Sequence, residues 1–230
     1  MAELEVRRRL AVALDVESTD EALSLAKELA PWFGVAKVGY ELYAAAGPGV
    51  VELLRALDMD VFLDLKLHDI PTTVGRGARV LGRLGASYLN FHASGGEAML
   101  RAGVEGFASG ASDAGHPAPV GLGVTVLTSD APDPELLRRR AATAAAAGCG
   151  GVVCAAWDIA EVRTVFAQAL TMVPGIRTEG TGVDDQVRVA TPAGAFGLGA
   201  DVIVVGRSVT RADDPPAAAA DLVASLPRLG

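Results

Sequence analysis

The sequence predicts a single-domain (β/α)8 barrel spanning residues 1–230, on three observations. Short β-rich runs alternate with helix-like segments from end to end, eight of each fit within 230 residues, and the charges inside the strands gather toward the strand ends. A doubly wound sheet is the alternative, but its glycine fingerprint for nucleotide binding is missing after the first strand.

The chain reads as follows. Residues 9–15 form the first strand, with Ala11, Ala13 and Asp15 on one face and Asp15 at the end. The helix over 19–31 carries Asp20 and Glu21 in its first turn, where acids suit the dipole, and Gly34 falls past its end. A strand over 34–39 puts Lys37 on the face of Val35 and Gly39, and a helix over 48–57 follows. The strand over 60–67 sets Phe62, Asp64 and Lys66 opposite Val61, Leu63, Leu65 and Leu67, and Ile70-Pro71 turns the chain into a helix over 73–84 that Gly85 ends. The strand over 87–92 ends at His92 and precedes a helix over 96–108. The turn-rich stretch from Gly110 to Pro119 is a loop before the strand over 119–126. A helix over 133–147, ended by Gly148, leads to strand 150–155, helix 158–168, strand 170–174, helix 184–196 and strand 201–206. Asp213-Asp214-Pro215-Pro216 then breaks the chain before a last helix over 216–225. The start, Met1 to Arg9, is charged, reads as leading straight into the first strand, and is not a signal peptide.

Bulk properties exclude some functions. A net charge of −8 and a pI near 4.9 argue against nucleic acid or an anionic membrane as partner. No apolar run approaches the roughly 20 residues that span a bilayer. Cys149 and Cys154 lie in an apolar stretch and read as a buried, reduced pair in a cytoplasmic protein. His68, His92 and His116 lack ligand spacing, so no metal site is expected, and His68 and His92 read as structural. Trp32 and Trp157 read as packing residues, and Arg138-Arg139-Arg140 as a solvated helix face.

Asp15, Lys37, Asp64 and Lys66 come from three neighbouring strands, so the barrel brings two acids and two bases to one rim. Charges on a strand and its exit, Asp69 included, are costly to bury unless they pair. Alternation in space lets each pair with its neighbours. At the last two strands, Gly175-Ile176-Arg177 and Gly206-Arg207 are turns of the kind that hold phosphate, with a glycine for close approach and an arginine clamp.

Asp64-x-Lys66-x-x-Asp69-Ile70-Pro71, with Pro174-Gly-Ile-Arg177, Asp184-Asp-Gln186 and Gly206-Arg207, resembles the orotidine 5′-monophosphate decarboxylases, and His92-Ala-Ser-Gly-Gly96 resembles their bacterial branch. The resemblance covers nearly the whole chain. It implies decarboxylation of orotidine 5′-monophosphate to uridine 5′-monophosphate in pyrimidine biosynthesis, without cofactor, with Lys66 stabilising and protonating the C6 carbanion. Lys66, Asp64, Asp69 and Lys37 are then the catalytic set. Asp15 and Lys37 meet the ribose, and Thr128 (or Ser129) meets the base. Pro174 packs near the pyrimidine, and Arg177, Gln186, Gly206 and Arg207 hold the phosphate. Asp69 and Thr73 reach toward the neighbouring subunit's site, which implies a homodimer with composite sites, and Ile70 is a further substrate-binding residue. Two other readings compete: a magnesium-dependent barrel enzyme acting on keto-sugar phosphates, and a catalytically silent nucleotide-binding scaffold.

Overall fold

Eight parallel strands close on themselves in chain order, β1 (Leu10–Ala13), β2 (Val35–Val38), β3 (Asp60–Leu67), β4 (Tyr88–His92), β5 (Val120–Val124), β6 (Gly151–Val153), β7 (Leu170–Ile176) and β8 (Val202–Val205), with β8 pairing back onto β1. The structure is a computed structural model and describes residues 2–127, 133–177 and 189–226. Among these the helices are α1 (Ala2–Arg8), α2 (Thr19–Leu29), α3 (Tyr40–Ala46), α4 (Val50–Arg55), α5 (Pro71–Gly82), α6 (Glu97–Asp113), α7 (Pro134–Ala146), α8 (Ile159–Val165), α9 (Pro192–Gly197), α10 (Arg207–Thr210) and α11 (Pro215–Ala224). This is the expected (β/α)8 barrel.

Two-residue alternation divides the apolar residues between two cores. Ala11, Val35, Phe62, Leu122, Val153, Met172 and Val204 fill the barrel, while Leu10, Val12, Ala36, Leu63 and Ile203 face outward onto the helices. Caps start the helices where polar residues precede them. Ser18 accepts from the Glu21 N–H, Asp133 from Leu136, and Asp214 from Ala217, each satisfying a donor the helix itself leaves open.

α5 and α6 meet backbone to backbone. A Cβ at Gly82 would stand 2.2 Å from the Phe107 carbonyl oxygen, and one at Gly110 would stand 2.0 Å from that of Arg79. Only bare backbone lets these helices meet. Because α5 starts at Pro71, this contact fixes the segment that leaves β3.

Four expectations change. Residues 2–9 do not run straight into a strand: α1 lies against the N-terminal end of the barrel, where the Arg7 guanidinium donates to the carbonyls of Ala30 and Asp58. Gly34 is not in the left-handed cap conformation seen at Gly85 and Gly148. It is glycine because the Arg7 carbonyl packs 2.8 Å from where its Cβ would be. The helix expected over 48–57 is α4, and a further short helix not foreseen, α3, precedes it before Gly47-Pro48; the segment read as helix 184–196 is helical over Pro192–Gly197, its residues 184–188 lying outside the described residues.

Candidate active site

Strand alternation and register carry three charges to the C-terminal rim of the barrel. Ala13 of β1 pairs with Lys37 of β2, which pairs with Phe62 of β3, so Asp15, Lys37 and Asp64 rise side by side above the apolar interior. Lys37 Nζ lies 2.7 Å from Asp15 Oδ1 and 3.7 Å from Asp64 Oδ2, and Lys66 Nζ lies 2.6 Å from Asp64 Oδ1. The four charges alternate in one row, so the buried ammonium of Lys37 has a carboxylate on each side. Burial pushes the Asp64 carboxyl up. The Lys37 and Lys66 charges, with hydrogen bonds from Lys66 and Asn90, outweigh it and hold Asp64 below the usual carboxylate range.

Simple pleating does not bring Lys66 there. Between the pairs Leu63–Leu89 and Leu67–Phe91, β3 advances four residues while β4 advances two, so the end of β3 bulges. Lys66 has φ of +44°, a left-handed conformation that costs a non-glycine residue roughly 1–3 kcal/mol. The peptide between Leu65 and Lys66 is held by side chains: Tyr40 Oη donates to the Leu65 carbonyl at 2.5 Å, and the Lys66 N–H donates to Asn90 Oδ1 at 2.7 Å.

The opposite wall comes from β7 and β8. Ala190 N–H donates to the Gly175 carbonyl and Arg177 N–H to that of Ala190, so the chain returns to β7 at the point where it left. Gly206-Arg207 opens α10 after β8. Between the walls lies a cavity of about 440 Å³, lined by Asp15, Lys37, Asp64, Lys66, Pro174, Arg177, Gly206 and Arg207 among others. A Cβ at Gly206 would meet only Ala13 Cβ at 3.7 Å, an ordinary contact, so the position has room for a side chain.

The structure therefore brings eight of the expected residues together. Asp69, Ile70 and Thr73 stand apart on the exposed turn after β3 and the first turn of α5. Asp69 pairs with none of the four charges: its carboxylate accepts from the Ile70 N–H at 2.6 Å. Thr128, Ser129 and Gln186 lie outside the described residues.

Sequence reading missed four contributors. Asn90, wholly buried on β4, bonds both Asp64 and Lys66. Glu41 and Arg211 line the cavity from α3 and from just beyond α10. Arg140 is no solvated face residue, since its guanidinium donates to the Thr125 carbonyl at the end of β5 at 2.7 Å. Trp157 is 63% exposed and so not a packing residue, its indole donating to the Val189 carbonyl. His68 is exposed, and its ring centre lies 5.6 Å from that of His92. Burial, then the charges of His68, Lys66 and Arg140, push the His92 imidazole below its ordinary value. Cys149 and Cys154 are buried and form no disulfide, and burial pushes the Cys149 thiol up to about 12. No helix among the described residues is long and apolar enough to cross a membrane.

A charged row and an arginine-bearing wall at the C-terminal rim put the chain in the class of (β/α)8-barrel enzymes, which carry their chemistry at that face. Known proteins narrow the class. The model of the orotidine 5′-phosphate decarboxylase / HUMPS family matches residues 8–222. The orotidine 5′-phosphate decarboxylase of Nitratidesulfovibrio vulgaris is 46% identical, covering 94% of this chain and 97% of that one. That of Cutibacterium acnes is 44% identical over 90% and 91%. The crystal structure of the Lactobacillus acidophilus enzyme of the same name superposes with a TM-score of 0.81 at 33% identity, covering 94% of this chain and 98% of that one. The chain belongs to the orotidine 5′-phosphate decarboxylase / HUMPS family.

Proposed function

We propose that the chain, acting as one catalytic domain, decarboxylates orotidine 5′-monophosphate to uridine 5′-monophosphate and CO₂ in pyrimidine biosynthesis. The observation that carries this reading is the alternating row Asp15–Lys37–Asp64–Lys66 facing an arginine-lined wall across one cavity. A phosphorylated ribonucleoside has the matching polarity, with ribose hydroxyls for Asp15 and Lys37 and phosphate for Arg177 and Arg207.

In the reaction the bond from C6 to the carboxylate breaks, its electron pair stays on C6, and CO₂ leaves. The pyrimidine ring delocalises that pair poorly, so the protein supplies the stabilisation. The Lys66 ammonium stands beside C6, opposes the developing negative charge, and then transfers its proton there. Asp64 holds that ammonium and lies near the substrate carboxylate. Like charges 4 Å apart repel by roughly 4 kcal/mol at an effective dielectric near 20, and loss of CO₂ relieves this. Stabilisation of the carbanion ranks above that relief. Phosphate binding, remote from C6, offsets the cost of desolvating the reacting carbon. No cofactor enters this scheme.

Thr128 and Gln186 complete base and phosphate recognition, and Pro174 packs against the pyrimidine. Asp69, Ile70 and Thr73, exposed and away from their own cavity, suit a homodimer in which each subunit reaches the other's site. The enzyme works in the cytoplasm. The test is consumption of orotidine 5′-monophosphate, followed by pyrimidine absorbance with EDTA present and Lys66→Ala as control. Metal-independent turnover that vanishes in the control is expected. Turnover of a keto-sugar phosphate with magnesium, and none of the nucleotide, would replace this reading.

A further inference from the structure

We infer that Asn90 is a positioning residue that sets both Asp64 and Lys66, an inference that rests on the decarboxylase reading above. Asn90 is completely buried on β4, next to the bulge of β3. Its Nδ2 donates to Asp64 Oδ1 at 2.7 Å, and its Oδ1 accepts from the Lys66 N–H at 2.7 Å. The same Asp64 oxygen receives the Lys66 ammonium at 2.6 Å. One amide thus ties the main chain of the lysine to the carboxylate that holds its side chain.

The chemistry of these two neighbours selects the residue. A peptide N–H needs an acceptor and an ionised carboxylate needs a donor, which fixes the orientation of the amide. Aspartate in its ionised form accepts but cannot donate. An aliphatic residue does neither and leaves two buried polar groups unpaired. The left-handed conformation of Lys66 gives the contact its purpose. With the Leu65 carbonyl taken by Tyr40 and the Lys66 N–H by Asn90, neither end of that peptide relies on a strand partner. Without Asn90 the lysine backbone is free to return to ordinary strand geometry, and Nζ moves relative to Asp64 and the reacting carbon.

Three measurements test this. Wild-type turnover of orotidine 5′-monophosphate is the baseline. Asn90→Ala should then lower kcat about a hundredfold, the scale of a misplacement near 1 Å, with KM within about threefold. Asn90→Asp supplies a readout that plain packing would not move. Its carboxyl, buried beside Asp64, titrates above the usual range, and once protonated it both donates and accepts as the amide does. Its kcat should therefore climb as pH falls from about 8 to about 6, while the wild type shows no such gain. The crystal structure of Asn90→Ala is the third measurement, and it needs no substrate. Lys66 should leave positive φ and its Nζ should part from Asp64.

A folded Asn90→Ala with kcat within threefold of wild type would overturn the inference. So would an Asn90→Asp profile parallel to wild type, or Lys66 unmoved in the crystal. Should both variants fail to fold, Asn90 is a core hydrogen bond and the inference falls. If wild-type protein does not turn over the nucleotide, the decarboxylase reading fails, and the crystal of Asn90→Ala still decides whether Asn90 sets Lys66.

Discussion

Lys66 Nζ lies 2.6 Å from Asp64 Oδ1, and the two side chains leave one strand two residues apart. A pleat alone points residues i and i+2 the same way without making them touch. Here the bulge and the left-handed turn at Lys66 close the remaining gap. The pair's partial burial, and the second lysine on the far side of Asp64, make the acid the hub of the row.

Lys66→Ala should keep the fold and lose turnover by about 10³-fold or more, since on the proposed mechanism it removes both the stabilising charge and the proton donor. The absorbance assay measures this alongside circular dichroism. A variant with near-normal turnover would refute the assigned role.

Arg207→Ala should act on binding. Loss of one charge-assisted contact to phosphate is worth about 1.5–3 kcal/mol. KM should rise by roughly ten- to a hundredfold, with much of the rate at saturation preserved. Initial-rate kinetics would separate the two parameters, and an unchanged KM would remove Arg207 from the site.

The depressed carboxyl of Asp64 has a pH signature. A carboxyl whose folded value lies below its unfolded value of about 3.9 stabilises the fold fully above that unfolded value, and the contribution disappears as pH falls through the folded one. Wild type should therefore outlast Asp64→Asn in thermal unfolding at neutral pH. The gap should close only below about pH 4. A gap that closed near neutrality would mean that Asp64 is not held by its lysines.

Asp69→Ala and Lys66→Ala should complement each other. If Asp69 serves the neighbouring subunit, random reassortment of the two inactive chains leaves about a quarter of sites intact. Activity recovered on mixing, measured after subunit exchange, is the expected result. Persistent inactivity would return Asp69 to its own subunit's site.

Gly82→Ala should destabilise by about 1–3 kcal/mol, because the helices must part to admit the methyl group. The clash with the Phe107 carbonyl outweighs the roughly 1 kcal/mol that alanine gains over glycine inside a helix. Urea denaturation measures the difference.

Much of this was legible in the chain. Period-two alternation gave the strands and the shared face of Asp15, Lys37 and Asp64, because a barrel strand buries both sides and leaves a charge nowhere to go but the rim. The same alternation put Lys66 on that face but could not reveal the bulge, which depends on how β3 registers with β4. Asn90 was illegible for the opposite reason. A lone amide among Tyr88, Leu89 and Phe91 repeats no pattern, and its importance comes from neighbours on another strand. Arg140 looked solvated because helical period says where a side chain starts, while a guanidinium on a long stem ends elsewhere. Short helices such as α3 and α10 carry too few turns to show a period.

The row of Asp15, Lys37, Asp64 and Lys66 holds two positive and two negative charges, and the chain assembles it before any substrate arrives. Water meeting a new carbanion must turn its dipoles, and that turning is a large part of the barrier in solution. Here the turning was done during folding. On the proposed mechanism, the rim behaves as a solvent already frozen in the orientation that the reaction will require.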